Sequence, residues 1–516
     1  MNRLYYYFLL LIIFLLFPAC SKYDQDQGNY KYGVSSWQGT NVYSGRYKGA
    51  IERARKIVTE SNRGSGLPGA QVAIAIDGQI CWSENFGFSD ISKGTPVNST
   101  TIFRIASVSK LFTASALGKL IEEGKVHLDS TITYYLPDLP EHYSCITIRH
   151  LVSHQSGIRH YYGADKSEKT EHYTHIEDAC MLFADAPLLF PAGQKCEYSS
   201  YNFLIVSAII QQVSGKSFLK YLQDEIWIPA GLKNTFGEIP VSRIKDVTKF
   251  YIKSSSDASW VDAPFQDLSF NWGGAGLSSN ANDLVLFGNA LLTNKLFSKE
   301  TMKMMCAPQL TSQKDTTGFG VGFILYETTD NEVIIGHGGF MPTAKSYILL
   351  FPESNVVIAF TSNTAMVNFA DETLVEIAHI FLKEKKNENH FLFSKMLNQH
   401  WTGLWQIKIE NGDEKYDNAY LYFYEVSNML KGSILFDNRE PVPLEITELK
   451  EDSIQLIAPL RSHTAMIQLV LKNGKISGKS YYNKPLTYLF KKQLSKESEL
   501  AKMLKPKNIR DGIRLN

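Results

Sequence analysis

One stretch limits what this chain can fold into. It reads Phe103-Arg104-Ile105-Ala106-Ser107-Val108-Ser109-Lys110-Leu111-Phe112, and Ile105, Val108, Leu111, Phe112, Ala114, Ala116, Leu117, Leu120 and Ile121 fall on nearly every side of a helix. A helix without a solvent face has to be buried. Lys110 lies on it, and Ser107, three residues earlier, shares its face. An amine in apolar surroundings is costly unless something uses it. A serine whose proton can pass to a nearby amine is an activated nucleophile. Spacing alone does not single this serine out. Ser-x-x-Lys recurs at Ser217–Lys220 and Ser242–Lys245, in turns or amphipathic stretches where a lysine sits in water.

At 516 residues the chain is too long for one ordinary domain, which points to two domains behind a leader. A formal net charge of +1 gives no electrostatic reason to expect nucleic acid as a partner. Arg3, the apolar run Leu4–Phe17 and then Pro18-Ala19-Cys20 form a secretory signal, with a run too short for a transmembrane helix. A cysteine after small residues resembles a bacterial lipoprotein signal. The resemblance implies that residues 1–20 are a signal peptide, that Cys20 is acylated, and that the protein is a membrane-anchored lipoprotein of the cell envelope, facing the periplasm or the cell surface. Residues 21–44, polar and rich in Gly, Tyr, Asp and Gln, read as a tether. Apart from Cys20, the cysteines are Cys81, Cys145, Cys180, Cys196 and Cys306, an odd number at scattered spacings and so not a disulfide framework. Neither Cys-x-x-Cys nor His-Glu-x-x-His occurs, so no metal site and no cofactor is expected.

Tyr47–Glu60 has helical periodicity, and Gln71–Ile76, Asp77-Gly78 and Gln79–Phe86 read as a hairpin with a primed turn. Helix and loop signals dominate from the central helix to about Leu325, including Ile148–Ser153, His175–Phe183, Tyr201–Val213, Phe218–Ile226 and Ala281–Leu292. Strands return at Glu332–Ile335, Ser346–Phe351 and Val356–Thr361, followed by a helix over Asp371–Lys383. The expected architecture is α+β: one antiparallel sheet made from both ends of this region, terminal helices on one face, and the helical block on the other. The charged run Lys383–His390 reads as a linker, which closes a first domain at 45–386. Beyond it, short alternating stretches from Gly403–Ile409 to Leu486–Phe490 predict a small all-β barrel or sandwich over 391–492, with a tail at 493–516.

Two further clusters add to Ser107. The first is Pro191-Ala192-Gly193 leading to Tyr198-Ser199-Ser200 and a helix. The second is Gly336-His337-Gly338-Gly339 at the end of a predicted strand, where glycines let another backbone approach closely. That suits a substrate lying along the strand, with a backbone N–H aimed at its carbonyl oxygen. The order and setting of these clusters resemble the serine β-lactamase and penicillin-binding-protein superfamily, in its class C β-lactamase-like branch. The resemblance covers roughly Gly45 to Leu382. It extends to Leu128-Asp129, to Ile146–Ile158 with its His154-Gln155-Ser156-Gly157, and to Trp272-Gly273-Gly274-Ala275-Gly276-Leu277 with Asp283-Leu284.

The resemblance implies a serine hydrolase with a β-lactamase/transpeptidase-like fold. Ser107 would be the nucleophile, Lys110 its hydrogen-bonded partner and Tyr198 the general base and then acid, with the first proton going to either Lys110 or Tyr198. The N–H groups of Ser107 and Phe340 would form the oxyanion hole, with Ser200, His337, Gly338 and Gly339 lining the substrate. Two departures bear on specificity. Tyr198-x-Ser200 stands where Tyr-x-Asn is usual, and His337-Gly338-Gly339 stands where many relatives have Lys-Thr-Gly. Without that lysine the fixed charge for a substrate carboxylate is missing, which favours D-amino-acid peptides or small esters, with the cell wall as one source of such peptides. Lys345 is the first other cation to consider. The alternatives are a β-lactamase or D-alanyl-D-alanine carboxypeptidase proper, and a non-hydrolytic penicillin-binding or sensor protein. The anchoring expectation has its own test: Cys20→Ala should release the protein from the membrane fraction, and its retention on salt-washed membranes would refute acylation at this residue.

Overall fold

The computed structural model describes residues 37–61, 66–161, 172–238, 246–254, 259–264, 266–327, 332–367 and 369–385, and strands between 403 and 494. In the first domain the main elements are β1 (Trp37–Tyr43), α1 (Lys48–Ser61), β2 (Gly69–Ile76), β3 (Gln79–Asp90), α2 (Ser109–Glu122), α3 (Tyr201–Ser214), α4 (Ala281–Leu292), β4 (Ile324–Glu327), β5 (Val333–Met341), β6 (Ala344–Phe351), β7 (Val356–Ser362) and α5 (Asp371–Lys385). They form one antiparallel sheet in the order β1-β3-β2-β7-β6-β5-β4. The two ends of the domain meet where β2 pairs with β7, Ile74 opposite Ile358. The β2–β3 turn has positive φ at both Asp77 (51°) and Gly78 (79°), the primed geometry expected from the Asp-Gly pair.

Each central strand is apolar on both faces because both faces are covered. Val72, Ile74, Ile358 and Phe360 face one core, with α1 and α5. Their neighbours Ala73, Ala75, Val357 and Ala359 face the other, with α2, α3 and α4. The small alanines let α4 lie close: a Cβ on Gly288 would come within 2.4 Å of Val357. The central helix is as buried as its pattern requires. Phe112 stacks on Phe287 of α4 with ring centroids 4.0 Å apart.

The structure departs from the sequence reading in several places. The last residues of the expected tether, Trp37–Tyr43, form edge strand β1 against β3, where the Asn41 side chain donates to Ser83 and Asn85. A polar strand at a sheet edge reads as linker because only one of its edges is paired. Strand β4 had no distinct signal. Strand β5 runs six residues past Ile335, so Gly336–Gly339 lies inside it rather than at its end. Those glycines read as a terminus, but Gly336 is needed where a Cβ would sit 2.1 Å from Ile348 O. Helix α5 continues to Lys385, into the expected linker. Gln493 and Leu494, the first residues of the expected tail, are a strand paired with Trp405 and Leu404, so the C-terminal domain runs past 492. The signal peptide, Cys20, the rest of the linker and residues 495–516 lie outside the described residues.

The C-terminal part contains β8 (Gly403–Asn411), β9 (Glu414–Val426), β10 (Met429–Phe436), β11 (Val442–Leu449), β12 (Ser453–Pro459), β13 (Thr464–Lys472), β14 (Lys475–Ser480) and β15 (Lys492–Leu494). It is all-β, as expected, but it is an open antiparallel sheet in the order β14-β13-β12-β11-β10-β9-β8-β15 rather than a closed barrel. Among the described residues no pairing joins the outer strands β14 and β15, and a barrel needs that closure. The predicted strand Leu486–Phe490 lies outside the described residues.

The close packing of α4 on β7 is testable. Gly288→Val should destabilise the protein by roughly 1–3 kcal/mol through overpacking, seen as a lower urea midpoint. An unchanged midpoint would show that the helix can move away at no cost.

Candidate active site

The residues around Ser107 depart from regular helix before α2 begins. Ala106–Val108 form a single tight turn, entered through Ala106 at φ 45°. A non-glycine residue in that region is strained and has to be held by its surroundings. Here Ser346 Oγ of β6 donates to Ile105 O at 2.6 Å, and Ser109 Oγ donates to Ala106 O at 2.6 Å. One residue further back, Arg104 is buried in an ion pair with Glu238 and donates to Thr343 Oγ1 at 3.3 Å. The turn leaves Ser107 partly exposed and carries Lys110 to full burial.

Lys110 Nζ has three neutral neighbours: Ser107 Oγ at 3.1 Å, Ser200 Oγ at 2.9 Å and Gly274 O at 2.6 Å. A neutral amine has two N–H donors and one lone pair, which matches one carbonyl, one hydroxyl acceptor and one hydroxyl donor. Burial pushes the Lys110 pKa well below the ordinary lysine value. The carbonyl of Gly274 comes from the turn Trp272-Gly273-Gly274. Both glycines are required there, since a Cβ on Gly273 would lie 2.5 Å from Phe203 O and one on Gly274 2.8 Å from Ser200 O.

Tyr198 and Ser200 lie just before α3. Lys110 Nζ lies 4.9 Å from the centroid of the Tyr198 ring. Burial raises the Tyr198 pKa above the ordinary phenol range, opposed by hydrogen bonding with Ser107 and Ser200. The phenol therefore holds its proton, while Lys110 holds its own weakly. Ser200 could have been a helix cap, but its hydroxyl makes no capping bond and faces Lys110 instead.

On the other side of Ser107 stands β5. Gly339 approaches the nucleophile turn so closely that a Cβ there would lie 2.2 Å from Ile105 O. Side chains alternate across a strand, so His337 faces the site with Gly339, at 6.1 Å between its ring centroid and that of Tyr198. Burial, and secondarily Lys110, lower the His337 pKa to about 3. Residues 337–341 pair with β6 on one edge and with no described strand on the other. Phe340 at this edge is exposed. Its register partner Lys345 lies on the opposite face from Ser346 and donates to Val367 O at 3.2 Å. Lys345 is therefore not in the site.

The structure brings Ser107, Lys110, Tyr198, Ser200, His337, Gly338, Gly339 and Phe340 to one place. Sequence reasoning assigned no site role to His154 and His160. His154, at φ 60° and fully buried, lies tilted against Tyr198 with ring centroids 4.3 Å apart and accepts from Ser199 N at 3.2 Å. His160 Nδ1 accepts from Ser200 N at 3.1 Å. Both orient the Tyr198-x-Ser200 segment. The only signal for His154 was its place in the loop Ser153–Gly157, and a lone histidine there reads as core. Of the other Ser-x-x-Lys serines, Ser217 precedes a short helix whose Lys220 pairs with Asp224 in solvent, and Ser242 lies outside the described residues.

A family model described as Beta-lactamase matches residues 54–379. The chain belongs to that family. The human protein "Serine beta-lactamase-like protein LACTB, mitochondrial" is 29% identical over 311 residues, a match that takes in 47% of this chain and 56% of the relative. This beta-lactamase family member therefore spans little more than half of that relative's length. Among solved structures, an octameric penicillin-binding protein homologue from Pyrococcus abyssi shares the fold over 86% of this chain and 100% of its own, at a TM-score of 0.57 and 21% identity. The D-amino acid amidase from Ochrobactrum anthropi SV3 does so over 66% of this chain and 99% of its own, at 0.55 and 22%.

The buried histidines make stability depend on pH. An unfolded His337 gains a proton near pH 6.5, but the folded ring stays neutral to about pH 3. Stability is therefore lost as pH falls below 6.5, by roughly 2 kcal/mol from this group at pH 5. His154, lowered mainly by burial, acts in the same direction. Urea melts from pH 7 to 5 should show a shallower decline for His337→Phe than for wild type; an identical slope would contradict the buried neutral ring.

Proposed function

We propose that this protein is a serine hydrolase that works through an acyl-serine intermediate on D-amino-acid peptides, amides or small esters. The observation that carries the reading is the fully buried Lys110 amine, without an ion-pair partner among the described residues, 3.1 Å from the partly exposed Ser107 hydroxyl.

Ser107 Oγ attacks the substrate carbonyl carbon while its proton passes to Lys110 Nζ, whose lowered pKa favours the neutral, accepting form. The N–H groups of Ser107 and Phe340 receive the developing oxyanion. Tyr198, which holds its proton, gives it to the departing nitrogen or oxygen as that bond breaks. The phenol recovers a proton from Lys110 through the Ser200 hydroxyl, which both side chains reach. Water then cleaves the acyl-serine by the reverse sequence. The D-amino acid amidase whose fold this chain shares supports the D-amino-acid part of the reading. We place the enzyme at the cell envelope, anchored through Cys20, on the sequence signal alone.

Ser107→Ala and Lys110→Ala should each lower turnover of an activated ester by a factor on the order of 10³ or more, and the double variant should be scarcely worse, because either loss disables the same step. A serine-directed acylating probe should add one adduct, mapped to Ser107 by peptide mass. Full turnover by Ser107→Ala, or labelling of another residue, would sink the proposal.

A further inference from the structure

The His337 ring carries information about the substrate that the family's chemistry does not supply. Its Nδ1 lies 2.6 Å from Gly338 O. A carbonyl oxygen can only accept, so Nδ1 holds the ring hydrogen. A neutral imidazole has one N–H, which leaves Nε2 with a bare lone pair. That atom is buried and has no hydrogen-bond partner among the described residues. Native structures seldom leave such a group unsatisfied, and one that stays so calls for an explanation. The ring stands on the same face of β5 as Gly339, beside Tyr198 and toward the Ser107 turn. In this position the site presents an acceptor where a lysine would present a positively charged donor.

The neighbouring cations do not change that polarity. Arg104 is committed to Glu238 and to Gln266 O. Arg159 donates to Leu182 O at 3.3 Å and lies over the Tyr201 ring. Lys345 is on the far face of the sheet, at Val367 O. Lys110 is occupied by Ser107, Ser200 and Gly274. A substrate carboxylate placed against His337 would meet a lone pair and, among the described residues, no counter-charge.

We propose that Nε2 of His337 accepts a hydrogen bond from the substrate group next to the scissile bond, so that the site takes substrates bearing a neutral N–H or O–H donor there, such as carboxamides, in preference to free carboxylates. The inference rests on the serine-hydrolase reading and deepens it. A site built to hydrogen-bond a substrate group rejects the analogue lacking it, because its own polar atom is then left unpaired.

The test compares N-acetyl-D-alanyl-D-alanine, its C-terminal carboxamide and its C-terminal N,N-dimethylamide on the full-length protein. Each is measured as a substrate by kcat/KM, or as a competitive inhibitor of activated-ester turnover. The carboxamide should be favoured by about tenfold or more over both others. In His337→Phe, which keeps a buried ring without an acceptor, carboxamide and dimethylamide should come within about threefold of each other. The comparison is a ratio within one protein, so a partly unfolded variant does not blur it, and the wild-type ratio is decisive by itself. Equal recognition of carboxamide and dimethylamide by wild type would overturn the inference, as would a preference for the carboxylate. Turnover of the ester with recognition of none of the three would overturn it while leaving the hydrolase reading standing. Absence of ester turnover and of any Ser107 adduct would overturn both.

Discussion

The site depends on an amine held out of water with no carboxylate of the described residues beside it. Full burial of Lys110 among two hydroxyls and a carbonyl removes the stabilisation that water gives an ammonium ion, and no carboxylate among the described residues makes up the loss. The surroundings follow from keeping this arrangement. Helix α2 is apolar all round because it has to pass through the core to bring Lys110 there. The Gly273-Gly274 turn lacks side chains because its backbone must reach between α2 and α3. Tyr198-Ser199-Ser200 is held by two histidines that accept its backbone N–H groups.

The sheet supplies the second constraint. Strand β5 reaches the nucleophile turn only because Gly339 has no Cβ, and Ser346 on β6 ties that turn to the same sheet face through Ile105 O. Strand alternation then sorts the side chains. His337 and Ser346 face Ser107, whereas Lys345 is turned toward α5. One residue of register separates a cation in the site from a cation behind the sheet. The missing Lys-Thr-Gly lysine is thus not replaced from the neighbouring strand.

The apolar periods, the Asp-Gly turn and the clustering of strand signals at both ends made the first domain's architecture legible from sequence, down to the pairing of its ends in one sheet. The grouping of Ser107, Lys110 and Tyr198 was expected from a lysine on a largely apolar helix taken together with the family resemblance, and the structure brings the three side chains together. Strand β1 and the length of β5 were not legible. An edge strand need satisfy only one neighbour, and glycines required by close approach look the same in sequence as glycines required by a turn.

What the sequence determined by itself is the set of groups and the elements that carry them, since burial patterns and local backbone preferences are written residue by residue. What the tertiary structure alone decided is their polarity toward a substrate. Lys110 loses affinity for its proton because the whole core excludes water from it. His337 becomes an acceptor because Gly338 O takes its single hydrogen, and Lys345 leaves the site by the parity of a strand. These are properties of distances between residues far apart in the chain, and no local pattern encodes them.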